Sequence, residues 1–257
     1  MSHELVNAWT AVNEAPYILE GDKPCLNSDN SICVDENELL ESPEFLNNSH
    51  KFFLNLIPIP YAGRIFDGSV FILMLNPGLI YLDIYAEEHS FEYKSALQTQ
   101  LNGRCPNPYL DPRFYWTGGF TYWTGKLRDH IRELGQQFGK SPREALDLMA
   151  SEVVFLELVP YHSREFRLGQ GTMRRLESVK LIQRFLKDRV LPRAARNECT
   201  VVIPRGARMW DVDDAENVTV YAAGQSRGAH MGINTAGGKA IWERLQTAAR
   251  TRWTGTV

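Results

Sequence analysis

Four short runs of consecutive apolar residues stand out along the chain. Val70 to Leu75 (VFILML) is the strongest and ends in Asn-Pro-Gly. Val153 to Val159 (VVFLELV) ends at Pro160, Thr200 to Ile203 (TVVI) at Pro204, and Val218 to Ala222 (VTVYA) near Gly224. A run that is apolar throughout, rather than at alternate positions, buries both faces and marks a strand inside a parallel sheet. Proline and glycine then stop each strand. The stretches between have helical spacing. Trp123 to Phe138 places Leu127, Ile131 and Leu134 one turn apart with charges between them. Ser141-Pro142-Arg143-Glu144 reads as a capping box with proline at the first helical position, opening a helix through Met149. Leu176 to Leu191 carries Val179, Ile182, Phe185 and Leu186 on one stripe. A last helix, Ala240 to Ala249, follows the pair Gly237-Gly238, which reads as its entry.

This order of elements predicts a three-layer α/β/α fold with a central, mostly parallel four-stranded sheet. In such sheets ligands bind beyond the carboxyl ends of the strands. The segments that follow the four strands are LNPGL, VPYHSREF, IPRGARMW and AAGQSRGAHMG, and they are expected to converge on one cleft. Residues 1–50 read as an N-terminal extension, dense in Asp, Asn, Glu and Ser from Asn27 to Ser49, with one short helix at about 36–47. Residues 51–257 read as the folded domain. There is no internal repeat.

Composition narrows the class. The chain has 257 residues, 44% of them hydrophobic and 23% charged, as in ordinary globular proteins. No apolar run is long enough to cross a bilayer, and the start, MSHELVNAWT, lacks the basic and apolar regions of a signal peptide. The chain is therefore expected in the cytoplasm, away from membranes, and it is read as a monomer. The net charge of -3 hides an asymmetry: residues 1–100 carry a balance of -11 and residues 101–257 a balance of +8. A basic half suits a face for a polyanion, though basic residues also simply solvate helix faces. Cys25, Cys33, Cys105 and Cys199 show no metal or redox spacing and read as reduced thiols. Gly237-Gly238-Lys239 lacks the spacing of a nucleotide P-loop, and no HExxH or GxSxG segment occurs.

Asn76 is the first candidate for chemistry. A carboxamide at the tip of a buried strand, followed by Pro77 and Gly78, can hold a water through one acceptor and one donor while the turn exposes backbone N–H groups. By itself, such a segment reads more readily as a turn with no chemistry. The wider pattern changes the balance. LNPGL after an apolar strand resembles the first motif, GINPGL, of the mismatch-specific uracil/thymine DNA glycosylases of the uracil-DNA glycosylase superfamily. Met74 stands where that form has glycine. The resemblance covers roughly residues 55 to 250, with its sharp part in five residues, and segments such as DPRFYW and FLELVPYHS look like those of a divergent bacterial branch.

The resemblance implies a monofunctional DNA glycosylase. Asn76 would position the water that attacks the sugar C1′, with Pro77, Gly78 and Leu79 forming the turn beside the base. Tyr161, His162 and Ser163 would contribute to the base pocket. His162 would donate to a base carbonyl or bear positive charge beside the departing base; a structural histidine is the competing reading. Among the many aromatics between Tyr81 and Trp123, Tyr85 and Phe114 are candidates to stack on a flipped base. The fourth-strand loop takes the place of the superfamily's DNA-pinching motif but lacks its His or Asn and its Pro. There Ser226 and Gly228 would contact phosphate, Arg227 or Met231 would act as the wedge, and His230 would replace the missing histidine; a plain loop over the sheet end is the alternative. Arg205 and Arg208 would contact phosphate or cap the sheet. No metal or cofactor is implied, and the wide cysteine spacing argues against the iron–sulfur cluster of some members.

The expected substrate is DNA carrying a damaged, mispaired or modified pyrimidine, and the product an abasic site. A modified cytosine would suit defence against phages with modified DNA, an idea that rests on analogy. Two other classes stay open: a DNA-binding module that kept the fold without catalysis, and a nucleoside or nucleotide hydrolase.

Overall fold

The computed structural model describes residues 3–26, 33–34, 50–222 and 231–255. Seven strands are present among them: β1 (Cys33–Val34), β2 (Phe52–Phe53), β3 (Tyr61–Ala62), β4 (Val70–Met74), β5 (Val153–Glu157), β6 (Thr200–Ile203) and β7 (Val218–Val220). The main sheet has the order β3-β5-β4-β6-β7. The four apolar runs form its parallel part, in register Val70↔Val153, Val70↔Thr200 and Val201↔Val218. The sheet has five strands rather than the expected four. The fifth, β3, is a two-residue edge strand antiparallel to β5. It is bounded by Pro60 and by Gly63, whose φ is +110° and where a Cβ would lie 2.5 Å from the Val153 carbonyl oxygen. So short a strand leaves no periodic trace. β1 and β2 form a separate parallel pair.

Both faces of the sheet are covered, as the runs require. All residues of β4, β5 and β6 are buried. Ile72 and Phe155 are partners in register, so their side chains share one face, and Phe71 points to the other. Trp123, on the Gly118–Phe138 helix, stacks on Phe155 at 3.5 Å between ring centroids. Arg193, in the Leu191–Ala195 helix, lies over Phe71 on the opposite face. The expected 176–191 helix is present as Glu177–Phe185, a wide π-helical turn Leu186–Val190, and Leu191–Ala195. Pro192 has no N–H and crowds the preceding turn, which suits a widened helix.

Two helix starts show sequence at work. Ser141 and Glu144 cap each other's backbone as the capping box predicts, with Pro142 at the first position. The last helix begins earlier than expected, at Ala236, with Thr235 accepting from the Gly238 N–H. Gly237 and Gly238 therefore lie inside its first turn rather than before it. The reason is space: a Cβ on Gly237 would sit 2.6 Å from Val202 Cγ1, and one on Gly238 would meet the Gly232 carbonyl.

Residues 3–26, read above as part of an extension, pack into the same core as the sheet. Leu5 and Trp9 of the Glu4–Thr10 helix are fully buried, as is Leu26. Asp22 Oδ1 accepts from the N–H groups of Glu177 and Ser178, at 2.5 and 3.2 Å, at the start of a helix. Its Oδ2 accepts from the Tyr161 hydroxyl at 2.7 Å. The helix expected at about 36–47 lies outside the described residues.

Candidate active site

The cleft at the carboxyl end of the sheet is built around the tip of β4. The backbone of residues 158–163 wraps that tip. Leu158 and Val159 donate to the carbonyls of Met74 and Leu75, and Ser163 N–H donates to Pro77. The buried Trp210 indole adds a bond to the Met74 carbonyl at 3.1 Å. A turn held at this many points presents its side chain in one orientation.

That side chain is Asn76. Its Nδ2 donates to the Pro77 carbonyl and to Ser163 Oγ, both at 2.9 Å, and has the carbonyls of Tyr161 and Ser163 at 3.4 Å. Three carbonyl oxygens around one end of the carboxamide fix which end is nitrogen, since reversing it would set oxygen against oxygen. Oδ1 is left as the free end, with no donor bonded to it among the described residues. Asn76 is half-buried and lines a cleft of about 550 Å³, within the usual range for a small-molecule site.

Three of the four strand-end segments meet there. Asn76, Pro77, Gly78 and Leu79 come from the first, His162, Ser163 and Arg164 from the second, and Arg205 from the third. Ser226, Arg227, Gly228 and His230 of the fourth lie outside the described residues. The rest of the lining is aromatic and acidic: Tyr93, Tyr109, Tyr122 and Trp123, with Asp83, Glu87 and Glu157. Burial raises the pKa of all three carboxyls, Glu87 to about 8 even though its Oε2 accepts from the Ile57 N–H. Arg164 and Arg205 are exposed at the rim. The cleft thus combines buried carboxyls inside with exposed charged side chains, Arg164, Glu165 and Arg205, at its edge.

Several expected roles change. His162 lines the cleft, but its Nδ1 lies 2.9 Å from the Gly78 carbonyl and its Nε2 2.9 Å from the Ile57 carbonyl. Both nitrogens are spent on backbone, so the ring holds the Asn-Pro-Gly turn instead of meeting a base. Tyr161 is 1% exposed and its hydroxyl bonds Asp22 and Leu19 N–H, away from the cleft. Phe114 is buried behind Tyr93, at 5.2 Å between ring centroids, and Tyr85 is exposed and packs on His89; neither lines the cleft. Met231 is fully buried in the core, with its carbonyl 2.8 Å from His130 Nε2, which rules it out as a wedge. Ser163 does line the cleft, as the partner that orients Asn76.

Glu157 is the residue the strand pattern concealed. The one polar residue in VVFLELV, it closes β5, in register with Met74. A carboxyl within a run buried on both faces was the available signal.

All four cysteines are free thiols. Among the described residues no group of three or more His, Cys, Asp or Glu is placed to hold a metal, and no helix is long and apolar enough to cross a membrane. No family model matches the chain, and no curated protein or solved structure matches it either.

Proposed function

We propose that this chain is a monofunctional DNA glycosylase that takes an extruded pyrimidine nucleotide into the cleft and hydrolyses its N-glycosidic bond. The observation that carries the reading is the Asn76 carboxamide, tied down through Nδ2 and free at Oδ1 beside an open cleft. An amide oxygen is too weak a base to take a proton outright. It accepts a hydrogen bond from a water and so turns a lone pair of that water toward the sugar C1′. Extrusion costs a few kcal/mol, roughly, and stacking on a ring such as Tyr109, Tyr122 or Trp123 offsets part of it. The bond then loosens toward a cationic sugar and an anionic base, and DNA phosphates stabilise the cation. The backbone N–H groups of Gly78 and Leu79 would serve the leaving base. Arg164 and Arg205 at the rim suit phosphate contacts. No lysine stands beside the motif, so the reaction ends at the abasic site without strand cleavage.

The test is incubation with genomic DNAs of differing base modification, followed by mass spectrometry of released bases and an assay for abasic sites. Release of a pyrimidine and a matching count of abasic sites supports the proposal. Binding without release from any DNA favours a binding module. Activity on free nucleosides that does not weaken with salt favours a small-molecule hydrolase, because DNA binding falls steeply as salt rises.

A further inference from the structure

Glu157 has no part in the chemistry above, yet its surroundings are unusual. Its side chain is 5% exposed, and Oε2 has no hydrogen-bond partner among the described residues. An orphaned carboxyl oxygen in a protein interior is costly, and the residue that carries it contributes to the lining of the cleft. The neighbours offer no compensation by charge at close range. Tyr109 and Tyr122 both sense its field, and Arg205 lines the same cleft with its head exposed at the rim. A group built in this way waits for a ligand that completes its hydrogen bonds.

Resting on the glycosylase reading, we propose that Glu157 is a second catalytic residue that reads the edge of a 4-aminopyrimidine, the cytosine class, and protonates its ring nitrogen N3 as the base leaves. A neutral carboxyl presents one donor and one acceptor side by side. Cytosine offers the complement, a basic lone pair at N3 next to the donor N4–H₂. Uracil and thymine present N3–H beside O4. They can satisfy the same two bonds with the carboxyl turned over, but they have no basic nitrogen on that edge to accept a proton. Only the cytosine pair gains the strength of a charge-assisted bond. Burial raises the Glu157 pKa well above the ordinary carboxylate value, which favours the protonated form that this edge requires.

The step balances. The N1–C1′ bond breaks and its electron pair passes into the ring, while the Glu157 proton goes to N3, so the base departs as a neutral tautomer. The water at Asn76 forms its bond to C1′ and loses one proton to solvent. The Glu157 carboxylate regains a proton from solvent.

The test uses free bases as probes, so that it does not depend on turnover. Affinities of the intact chain for cytosine and for uracil are measured by calorimetry, with Glu157→Gln and Asn76→Ala as variants. Wild type should bind cytosine about tenfold more tightly than uracil, in line with the gain from a charge-assisted bond. Glu157→Gln keeps a donor and an acceptor and the same size, so it should fold and bind while the preference shrinks below about threefold. Asn76→Ala should keep the preference. In single turnover on cytosine-containing DNA with enzyme at saturation, Glu157→Gln should lower the rate of base release. Equal affinity for the two bases, no measurable binding of either, or a preference that survives in Glu157→Gln overturns the proposal. A preference for cytosine in a protein that releases no base from any DNA would instead retain the recognition role and overturn the glycosylase reading.

Discussion

Asn76 Nδ2 donates to Ser163 Oγ at 2.9 Å, and the same hydroxyl donates to the Glu165 carbonyl at 3.0 Å. The serine therefore has its proton committed elsewhere and can meet Asn76 only as an acceptor. This relay, with the Pro77 carbonyl, turns the carboxamide so that oxygen faces the cleft. Hydrogen bonds in such a chain polarise one another in the same direction.

Ser163→Ala should leave the fold intact and loosen the carboxamide, which keeps only its carbonyl partners. Loss of one hydrogen bond worth about 1 kcal/mol predicts a fall in kcat of about five- to tenfold with KM little changed. Single-turnover base release checks this. An unchanged kcat would show that Ser163 does not orient Asn76.

Glu87 makes stability depend on pH. Burial lifts its pKa to about 8 in the folded chain, against an ordinary value of 4.5. The unfolded chain releases this proton from about pH 4.5 upward, whereas the folded chain holds it until about pH 8. The folded state thus binds more protons in that window, and stability falls as pH rises through it. Urea unfolding at pH 5 and pH 7 should show Glu87→Gln losing less stability than wild type, by roughly 2 kcal/mol. Parallel losses in the two proteins would contradict the assignment.

Tyr161→Phe separates a strut from a pocket residue. The change removes the bond to Asp22 and leaves the Leu19 N–H without its partner. Stability should drop by about 2 kcal/mol in denaturant unfolding, and base release at a temperature where the variant is folded should change by less than about twofold. A large loss of activity with stability intact would return Tyr161 to the base pocket.

The parallel core was legible because its strands are buried on both faces, and VFILML has no polar position while TVVI has only Thr200. The cap at Ser141 was legible because its signal is local. The edge strand Tyr61–Ala62 is too short to show a period. The packing of residues 3–26 was hidden because Leu5, Val6 and Trp9 supply apolar contacts in a segment of barely two turns. In the site, Asn76 was readable from its place after a strand. The histidine beside it was not, since only coordinates reveal that both ring nitrogens face backbone carbonyls. Tyr161 and Ser163 are two residues apart and went opposite ways, the first to the core and the second to the cleft, a difference fixed by Asp22, 139 residues from Tyr161.

Gly238→Ala tests the start of the last helix. The added methyl meets the Gly232 carbonyl, a backbone atom that cannot rotate away. Unfolding experiments should register a loss of about 2 kcal/mol or more. Tolerance of alanine there would mean that the segment around Gly232 is free to move from this helix.

The most direct measurement is the single-turnover rate of base release by Asn76→Ala beside wild type, with DNA affinity determined for both on the same substrate. Loss of an oriented water predicts a rate lower by about two to three orders of magnitude, with the dissociation constant within about twofold. A variant that releases base within a few-fold of the wild-type rate would contradict the role assigned to the Asn76 carboxamide.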